Sequence, residues 1–241
     1  FLGSVSFMIY VFLIKRRWER LKAEEEAKYY FLMLLLFFII ILVDLVVVKK
    51  GMTTAHAARE AFFNILSVSS TTGFGASDYD QWPLSSRLLL LILMAVGGCA
   101  GSTAGGIKMN RVILFAKIAG RELARSFRPN LVHRIKLNGV SPDEQVFVTT
   151  SFFIALAGVV AGVSVLLVSL LQPALDFESS VGSVFATLFN IGPGFGAVGP
   201  TDNFAFFSPA TLLLLSFLMV LGRLEFIAVL VLLVPSLWRK Y

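Results

Sequence analysis

Residues 54–75 read TAHAAREAFFNILSVSSTTGFG, a moderately apolar segment that ends in a glycine cluster. The apolar part has the length of a helix, but it falls short of the roughly 20 residues that span a bilayer. The same arrangement returns where FESSVGSVFATLFN at 177–190 runs into GPGFG at 192–196. The chain therefore contains a short helix followed by a glycine cluster twice.

Longer apolar stretches flank both of these units. Residues 31–48, 145–171 and 208–234 are each long enough to cross a membrane. The stretch 85–118 is too long for one simple span, and GGCAGSTAGG at 97–106 interrupts it. A spanning helix, a short helix, a glycine-rich strand and a second spanning helix thus occur twice, which predicts an all-α membrane protein. Repeats of this kind are typical of transport proteins.

The composition and the placement of charge agree with a membrane protein. The 241 residues are 57% hydrophobic and 15% charged, whereas soluble domains carry about 25% charged residues. The net charge of +6 comes mainly from basic residues at 15–28 and 108–136 and at the C-terminus. The positive-inside rule then predicts that both repeats begin and end in the cytoplasm. The basic surplus is topological, and no nucleic-acid partner is expected.

Several classes of site are not expected from this sequence. One cysteine, Cys99, allows neither an intrachain disulfide nor a cysteine-based zinc site, and the two histidines are far apart. The stretch 194–199 matches GxGxxG, but Pro200 and a membrane span follow it rather than a soluble helix and an acid. We therefore expect no enzymatic reaction and no covalent cofactor.

The glycine clusters have a physical role that suits ion binding. Backbone at membrane depth must be hydrogen-bonded internally or line a watery cavity. Glycine allows φ values that point successive carbonyl groups the same way, and rings of carbonyls can replace the hydration shell of K⁺. The negative end of the short helix near Ser70 also favours a cation. The alternative is an ordinary re-entrant turn in which glycine serves close packing.

A family resemblance rests on four motifs in this order: TTGFGASDYDQWP, GGCAGSTAGGIKMNR, FNIGPGFGAVGPTDNF and LGRLEF. Together they resemble the second half of a TrkH-type subunit of the Trk/Ktr/HKT superfamily of potassium transporters. The resemblance implies two helix–pore-loop–helix repeats of a four-repeat, potassium-channel-like fold. Residues 1–30 would be the end of a preceding membrane helix plus a basic cytoplasmic linker. Residues 31–143 would form repeat three with its linker, and residues 144–241 repeat four.

The resemblance also implies particular site residues. The selectivity filter would bind K⁺ through the backbone carbonyls of Thr71, Thr72, Gly73, Phe74, Asn190, Ile191, Gly192 and Pro193. The register between the two strands stays open by two residues, because Gly73 could pair with Gly192 or GFG with GFG. The gate would be an intramembrane loop and one arginine, comprising Gly97, Gly98, Gly101, Ser102, Thr103, Gly105, Gly106 and Arg223.

Arg223 stands in the middle of the expected span 208–234. An arginine at that depth costs roughly 2.5–3.5 kcal/mol on insertion scales, so a compensating role is expected. Glu225 is too close in sequence to face it directly on one helix. Arg223 either belongs to a separate interhelical pair or, as the resemblance implies, points a movable positive charge into the cavity below the filter.

The resemblance implies potassium uptake across the plasma membrane, with K⁺ as the substrate. The expected partners are the lipid bilayer, the preceding repeats of the same subunit, a second copy in a homodimer, and a cytosolic nucleotide-binding regulatory ring (TrkA-like) at the basic surface. An alternative is a proton- or sodium-coupled secondary cation transporter, which would need ionisable relays inside several spans. A membrane scaffold without a pore would not need two glycine clusters.

Overall fold

The computed structural model describes residues 2–48, 52–128, 135–224 and 226–232. The first part of the chain forms α1 (Phe7–Ile14), α2 (Trp18–Ala23), α3 (Glu25–Val47), α4 (Thr54–Ser69), α5 (Leu84–Ala95) and α6 (Met109–Phe127). The second part forms α7 (Glu144–Leu171), α8 (Phe177–Leu188), α9 (Pro209–Arg223) and α10 (Phe226–Leu232). Short 3-10 helices occupy Leu2–Ser4, Tyr79–Gln81 and Gly196–Val198.

The prediction of an all-α chain is confirmed for these residues. They contain isolated β-bridges at Val96–Ile107 and Leu137–Val140 but no strand. Among the described helices, α3 and α7 are long and apolar enough to cross a membrane, while α5 and α9 are shorter apolar helices. The short helices α4 and α8 follow α3 and α7, as the sequence predicts.

The stretch 208–234, expected as one span, is broken. Helix α9 ends at Arg223 and α10 begins at Phe226, so Arg223 is the last residue of a helix rather than a mid-span residue. Gly222 weakens the helix there, since glycine costs about 1 kcal/mol relative to alanine in a helix interior. A Cβ at Gly222 would lie 1.7 Å from the carbonyl oxygen of Leu188, so glycine is needed where α9 crosses α8.

Helix α8 contains four hydroxyl side chains yet is mostly buried, and hydrogen bonds to its own backbone explain how. The Asp176 carboxylate caps its start by accepting from the Ser179 N–H at 3.3 Å. The Ser183 and Thr187 hydroxyls donate to the carbonyls of Ser180 and Ser183 at 3.0 and 2.7 Å. Both of these hydroxyls are therefore satisfied within the helix, and the small side chains let α7 and α9 pack closely around it.

The two repeats join at one end of the molecule, which we call the mouth end and which carries residues 76–83 and 197–208. The buried Tyr79 hydroxyl donates to the Gly194 carbonyl at 2.9 Å, and its ring contacts Phe195 edge-on at 5.3 Å between centroids. Burial raises the pKa of Tyr79, so the hydroxyl keeps its proton for this bond. The opposite end, the linker end, carries the start of α3, the end of α6 and residues 135–143.

Candidate functional site

Helix α4 ends in a tight turn that stops the helix and changes the direction of the chain. The Thr71 N–H donates to the Val68 carbonyl at 3.0 Å, and the Thr72 N–H donates to the Ser67 carbonyl at 2.9 Å. This pair of bonds is the Schellman motif, whose first residue outside the helix takes a left-handed conformation. Thr71 has φ +52°, a value that usually belongs to glycine or asparagine.

Helix α8 ends in the same turn. The Asn190 N–H donates to the Thr187 carbonyl at 3.1 Å, and the Ile191 N–H donates to the Ala186 carbonyl at 2.9 Å. Asn190 has φ +58°, so it occupies the position that Thr71 occupies after α4. The two short helices thus end alike although their sequences differ there.

The backbone after these turns also shows how the two glycine-rich stretches correspond. Two positions after each turn residue, a second residue has a positive φ: Gly73 with φ +76° and Gly192 with φ +110°. The match pairs Gly73 with Gly192, not GFG with GFG. A β-branched residue at positive φ, such as Thr71, stores about 1–3 kcal/mol of strain, which is typical of functional sites.

The main-chain carbonyls after α4 and α8 lack partners among the described residues. In the ranges that the structure describes, the main-chain oxygens of residues 70–74 and 189–193 accept no hydrogen bond. We call these two stretches the filter segments. The segments approach each other closely, because a Cβ on Gly73 would lie 2.2 Å from the Ile191 oxygen. Free carbonyls and the negative ends of α4 and α8 therefore meet in one place, an arrangement suited to a dehydrated cation.

The predicted helix break at 97–106 is present, and we call these residues the intramembrane loop. The chain leaves α5 and returns to α6 through a narrow neck, where the Gly97 N–H donates to the Ile107 carbonyl and the Ile107 N–H to the Ala95 carbonyl, both at 2.9 Å. The Met109 N–H donates to the Gly98 carbonyl at 3.1 Å. The neck lets the loop project away from both helices.

The intramembrane loop lies against both filter segments. Its Gly105 N–H donates to the Thr71 hydroxyl at 2.9 Å. A Cβ on Gly105 would lie 2.4 Å from the Phe189 carbonyl oxygen, so the loop backbone touches the second filter segment as well. Thr71 therefore joins the filter segment to the loop through its side chain while its backbone ends α4.

Two cationic side chains hold the carbonyl side of the loop. The Arg223 guanidinium donates to the Thr103 carbonyl at 3.0 Å. The Lys108 ammonium donates to the carbonyls of Ala104 and Ser102 at 2.5 and 3.3 Å. Glu225, the acid considered as a neighbour of Arg223, lies outside the described residues.

A cavity of about 250 Å³ opens beside the loop, between the ends of α8 and α9. Arg223, Lys108 and Arg111 line it, and the Arg111 guanidinium lies 3.9 Å from the centre of the Phe153 ring. The wall of this cavity next to the filter segments therefore carries positive charge. The loop and Arg223, which the sequence placed far apart, thus form one wall.

A sequence model of the TrkH family, described as a cation transport protein, matches residues 8–240. The chain belongs to the TrkH family. It is 40% identical over 181 residues to the Trk system potassium uptake protein TrkH of Salmonella typhimurium, covering 75% of this chain and 37% of that protein. It is 32% identical over 199 residues to TrkI of Halomonas elongata, covering 80% of this chain and 39% of that protein.

The fold comparison agrees. The structure matches the crystal structure of the potassium transporter TrkH from Vibrio parahaemolyticus with a TM-score of 0.88 and 29% sequence identity, over 99% of this chain and 51% of the other. The predicted all-α membrane transporter fold is therefore confirmed. The chain spans less than two fifths of the curated TrkH relatives and about half of the solved transporter.

Sequence reasoning missed two residues that hold the loop of this TrkH-family chain. Lys108 lies two residues after the glycine-rich break, and nothing in the local sequence marks it as a partner of the loop carbonyls. Glu26 accepts hydrogen bonds from the loop side and is buried. The sequence feature that could have indicated Glu26 is the run of three acids at residues 24–26 just before an apolar span. An acid next to such a span is costly unless it is paired.

Asp80 is the perturbed acid of the mouth end. Burial raises its pKa from 3.8 to about 6, the Gly196 amide opposes the shift, and the charges of Asp78 and Glu178 add to it. One of its carboxylate oxygens, Oδ1, is buried without a hydrogen-bond partner in the described part of the chain. Folding therefore raises the proton affinity of Asp80, and the carboxylate that is the main form at pH 7 is less stable in the folded protein than in the unfolded chain.

We expect Asp80→Asn to raise the Tm at neutral pH. A folded pKa above the unfolded value means that stability is full below about pH 4 and falls as pH rises through about 6. The amide of the variant does not ionise, so this loss is absent. The Tm values of the variant and the natural protein should therefore differ at pH 7 and converge near pH 4. Thermal unfolding in detergent from pH 4 to 8 measures both Tm values.

The matched control is Asp202→Asn, an exposed aspartate at the same end of the molecule. It should leave the pH profile of Tm unchanged. An Asp80→Asn profile parallel to that of the natural protein over this range would contradict the assignment.

Proposed function

We propose that this chain provides the third and fourth pore-loop repeats of a potassium uptake subunit, as residues 31–143 and 144–241. One observation carries the proposal: α4 and α8 end in the same turn, with left-handed residues at matching positions and free carbonyls after them. The similarity to proteins named potassium uptake proteins supports K⁺ as the transported ion. The function is transport without covalent chemistry, and it needs no cofactor.

Selectivity follows from backbone geometry. The filter segments supply carbonyl oxygens from Thr71 to Phe74 and from Asn190 to Pro193, and these replace water around K⁺. The C-terminal ends of α4 and α8 add partial negative charge. In the complete subunit the preceding repeats supply the remaining sides of the ring. Acids at the mouth end, including Asp78 and Glu178, raise the local cation concentration.

The intramembrane loop is the gate. It lies directly below the filter segments through Gly105, and the positive charges of Lys108 and Arg223 stand beside it. Unit charges interact far more strongly in a low-dielectric cavity than in water, so K⁺ cannot pass while Arg223 holds its place. Conduction requires that the loop and Arg223 move aside together, because the Thr103 hydrogen bond joins them.

The chain sits in the plasma membrane with its linker end in the cytoplasm, so both repeats begin and end on that side. Lys117, Arg121 and Arg125 lie on α6 toward this end, which agrees with the positive-inside rule. The exposed apolar groove between α3 and α4, lined by Phe31, Phe38 and others, suits lipid or the preceding repeats. A homodimer and a cytosolic nucleotide-binding regulatory ring complete the proposed assembly.

Replacing the filter glycines tests the selectivity mechanism in the full-length protein. Gly73→Ser should lower K⁺ over Na⁺ discrimination most, because its Cβ meets the Ile191 oxygen and its φ is positive. Gly192→Ser should lower it less, since nothing lies within 4 Å and only the backbone strain of about 1–3 kcal/mol remains. Flux assays with both ions measure the ratio.

Gly158→Ser on α7 is the control, because it lies in open space on a regular helix. It should keep the natural ion preference. If both filter variants also keep it while inserting normally, the carbonyl mechanism is wrong.

Arg223 should act through its charge. Arg223→Gln keeps a donor for the Thr103 carbonyl but removes the positive charge, so it and Arg223→Ala should both raise K⁺ flux. Arg223→Lys keeps the charge and should stay near the natural flux. Flux into proteoliposomes, normalised to folded protein, measures the difference. Less folded protein with no gain in flux in the neutral variants would show a static structural pair instead.

The regulatory ring should bind the exposed basic end of α6. Arg121 is mostly buried over the Phe147 ring, whereas Arg125 and Arg128 are exposed. Reversing Arg125 and Arg128 to Glu should therefore abolish co-purification of the regulator without disturbing the fold. Arg59→Glu, at the mouth end of α4, is the matched control. If the regulator still co-purifies with the double variant and the membrane topology is intact, the partner surface lies elsewhere.

A further inference from the structure

Glu26, near the start of α3, contacts an N–H group of the intramembrane loop, whereas Lys108 and Arg223 contact its carbonyls. One carboxylate oxygen, Oε1, accepts from the Ala100 N–H at 2.6 Å and from the Asn110 N–H at 2.9 Å. Ala100 belongs to the loop and Asn110 to the first turn of α6. The side chain is 6% exposed, so these bonds are shielded from competing water.

The position of Glu26 suits a negative charge. The first N–H groups of a helix have no partner within it and carry partial positive charge. Lys108, the residue before α6, makes no side-chain cap on that helix. Glu26 supplies the cap from another helix, and charge-assisted bonds of this type are roughly twice as strong as neutral ones.

Side chains of opposite charge therefore hold the loop: cations bind its carbonyl groups and an anion binds one of its N–H groups. Its carbonyls at Ser102, Thr103 and Ala104 accept from cationic side chains, and its Ala100 N–H donates to an anion. The Glu26 contact is placed differently from the others. It joins the loop to the start of α6 at a single atom, so the loop cannot leave α6 without breaking it.

The residues before Glu26 fix its position at the linker end. The Glu25 carboxylate pairs with Lys117 on α6 at 2.5 Å, and the Glu25 N–H donates to the Asn138 side chain at 2.9 Å. The Glu24 carboxylate accepts from the same asparagine at 3.1 Å. Three consecutive acids thus connect the linker between the repeats, α6 and the intramembrane loop.

We propose that Glu26 is the positioning residue that seats the intramembrane loop in its closed conformation, acting as an anionic clamp between the loop and the start of α6. The inference rests on the proposed function, because it names what holds the proposed gate closed. Opening requires that Ala100 release the carboxylate, while Asn110 keeps it. Glu26 touches neither the filter segments nor the transported ion.

Cys99 reports loop position independently of transport. It precedes Ala100, its side chain is 0% exposed, and its N–H donates to the Ser4 carbonyl at 2.8 Å. A buried thiol reacts slowly, so its labelling rate rises when the loop leaves its seat. In the full-length protein, labelling with N-ethylmaleimide followed by peptide mass spectrometry assigns the rate to Cys99 whatever other cysteines are present.

Glu26→Gln is the decisive variant, since it keeps the shape and one carbonyl oxygen, which can accept from both N–H groups, but loses the charge. We expect Cys99 to be labelled about tenfold faster and K⁺ flux to rise, with folded protein unchanged, because neutral bonds are weaker. Glu26→Ala, if it folds, should exceed both effects. Glu19→Gln, the same charge change on the exposed face of α2, should alter neither reading.

The two readings separate this inference from the proposed function. Faster Cys99 labelling with unchanged flux would support the clamp and show that the loop is not the gate. If folded Glu26→Gln labels Cys99 at the same rate as the natural protein does, the clamp is wrong, whatever the K⁺ flux of the variant.

Discussion

The free carbonyls at the ends of α4 and α8 are the feature on which the rest of the structure depends. In a membrane, backbone groups without hydrogen bonds are costly unless they line a wet or ion-filled path. The Schellman turns place these carbonyls beyond each helix and satisfy the helix ends at the same time. Three features around the filter segments hold them in place: the small residues of α8, the Tyr79 bond between the repeats and the close crossing of α9.

The intramembrane loop meets the same constraint differently. Its glycines and small polar residues cannot form a stable helix, so its backbone groups need partners from elsewhere. The carbonyls take Lys108 and Arg223, and the N–H groups take Thr71 and Glu26. A loop held by side chains from several elements can be released by changing one of them, which a regular helix cannot. Irregular backbone of this kind suits the gate that we propose.

Much of this could be predicted from the sequence. Local composition predicted the spans α3 and α7, the two short helices and the glycine-rich break at 97–106, but it wrongly predicted one unbroken span over 208–234. The motifs gave the family, which the comparisons confirm. Sequence did not predict the end of α9 at Arg223. Gly222 is visible in the sequence, but its close approach to the Leu188 carbonyl is a tertiary contact. The sequence also left open the pairing of Gly73 with Gly192, which φ values decide and residue identities do not.

The sequence by itself determined which segments lie in the membrane and which stretches of backbone cannot be helical there, because apolar length and glycine content act locally. Only the tertiary structure decided which side chains reach those stretches. Glu26 lies far from Ala100 in the chain, as Arg223 does from Thr103. Such contacts depend on how helices cross, and crossing is set by the packing of the whole bundle rather than by any local pattern.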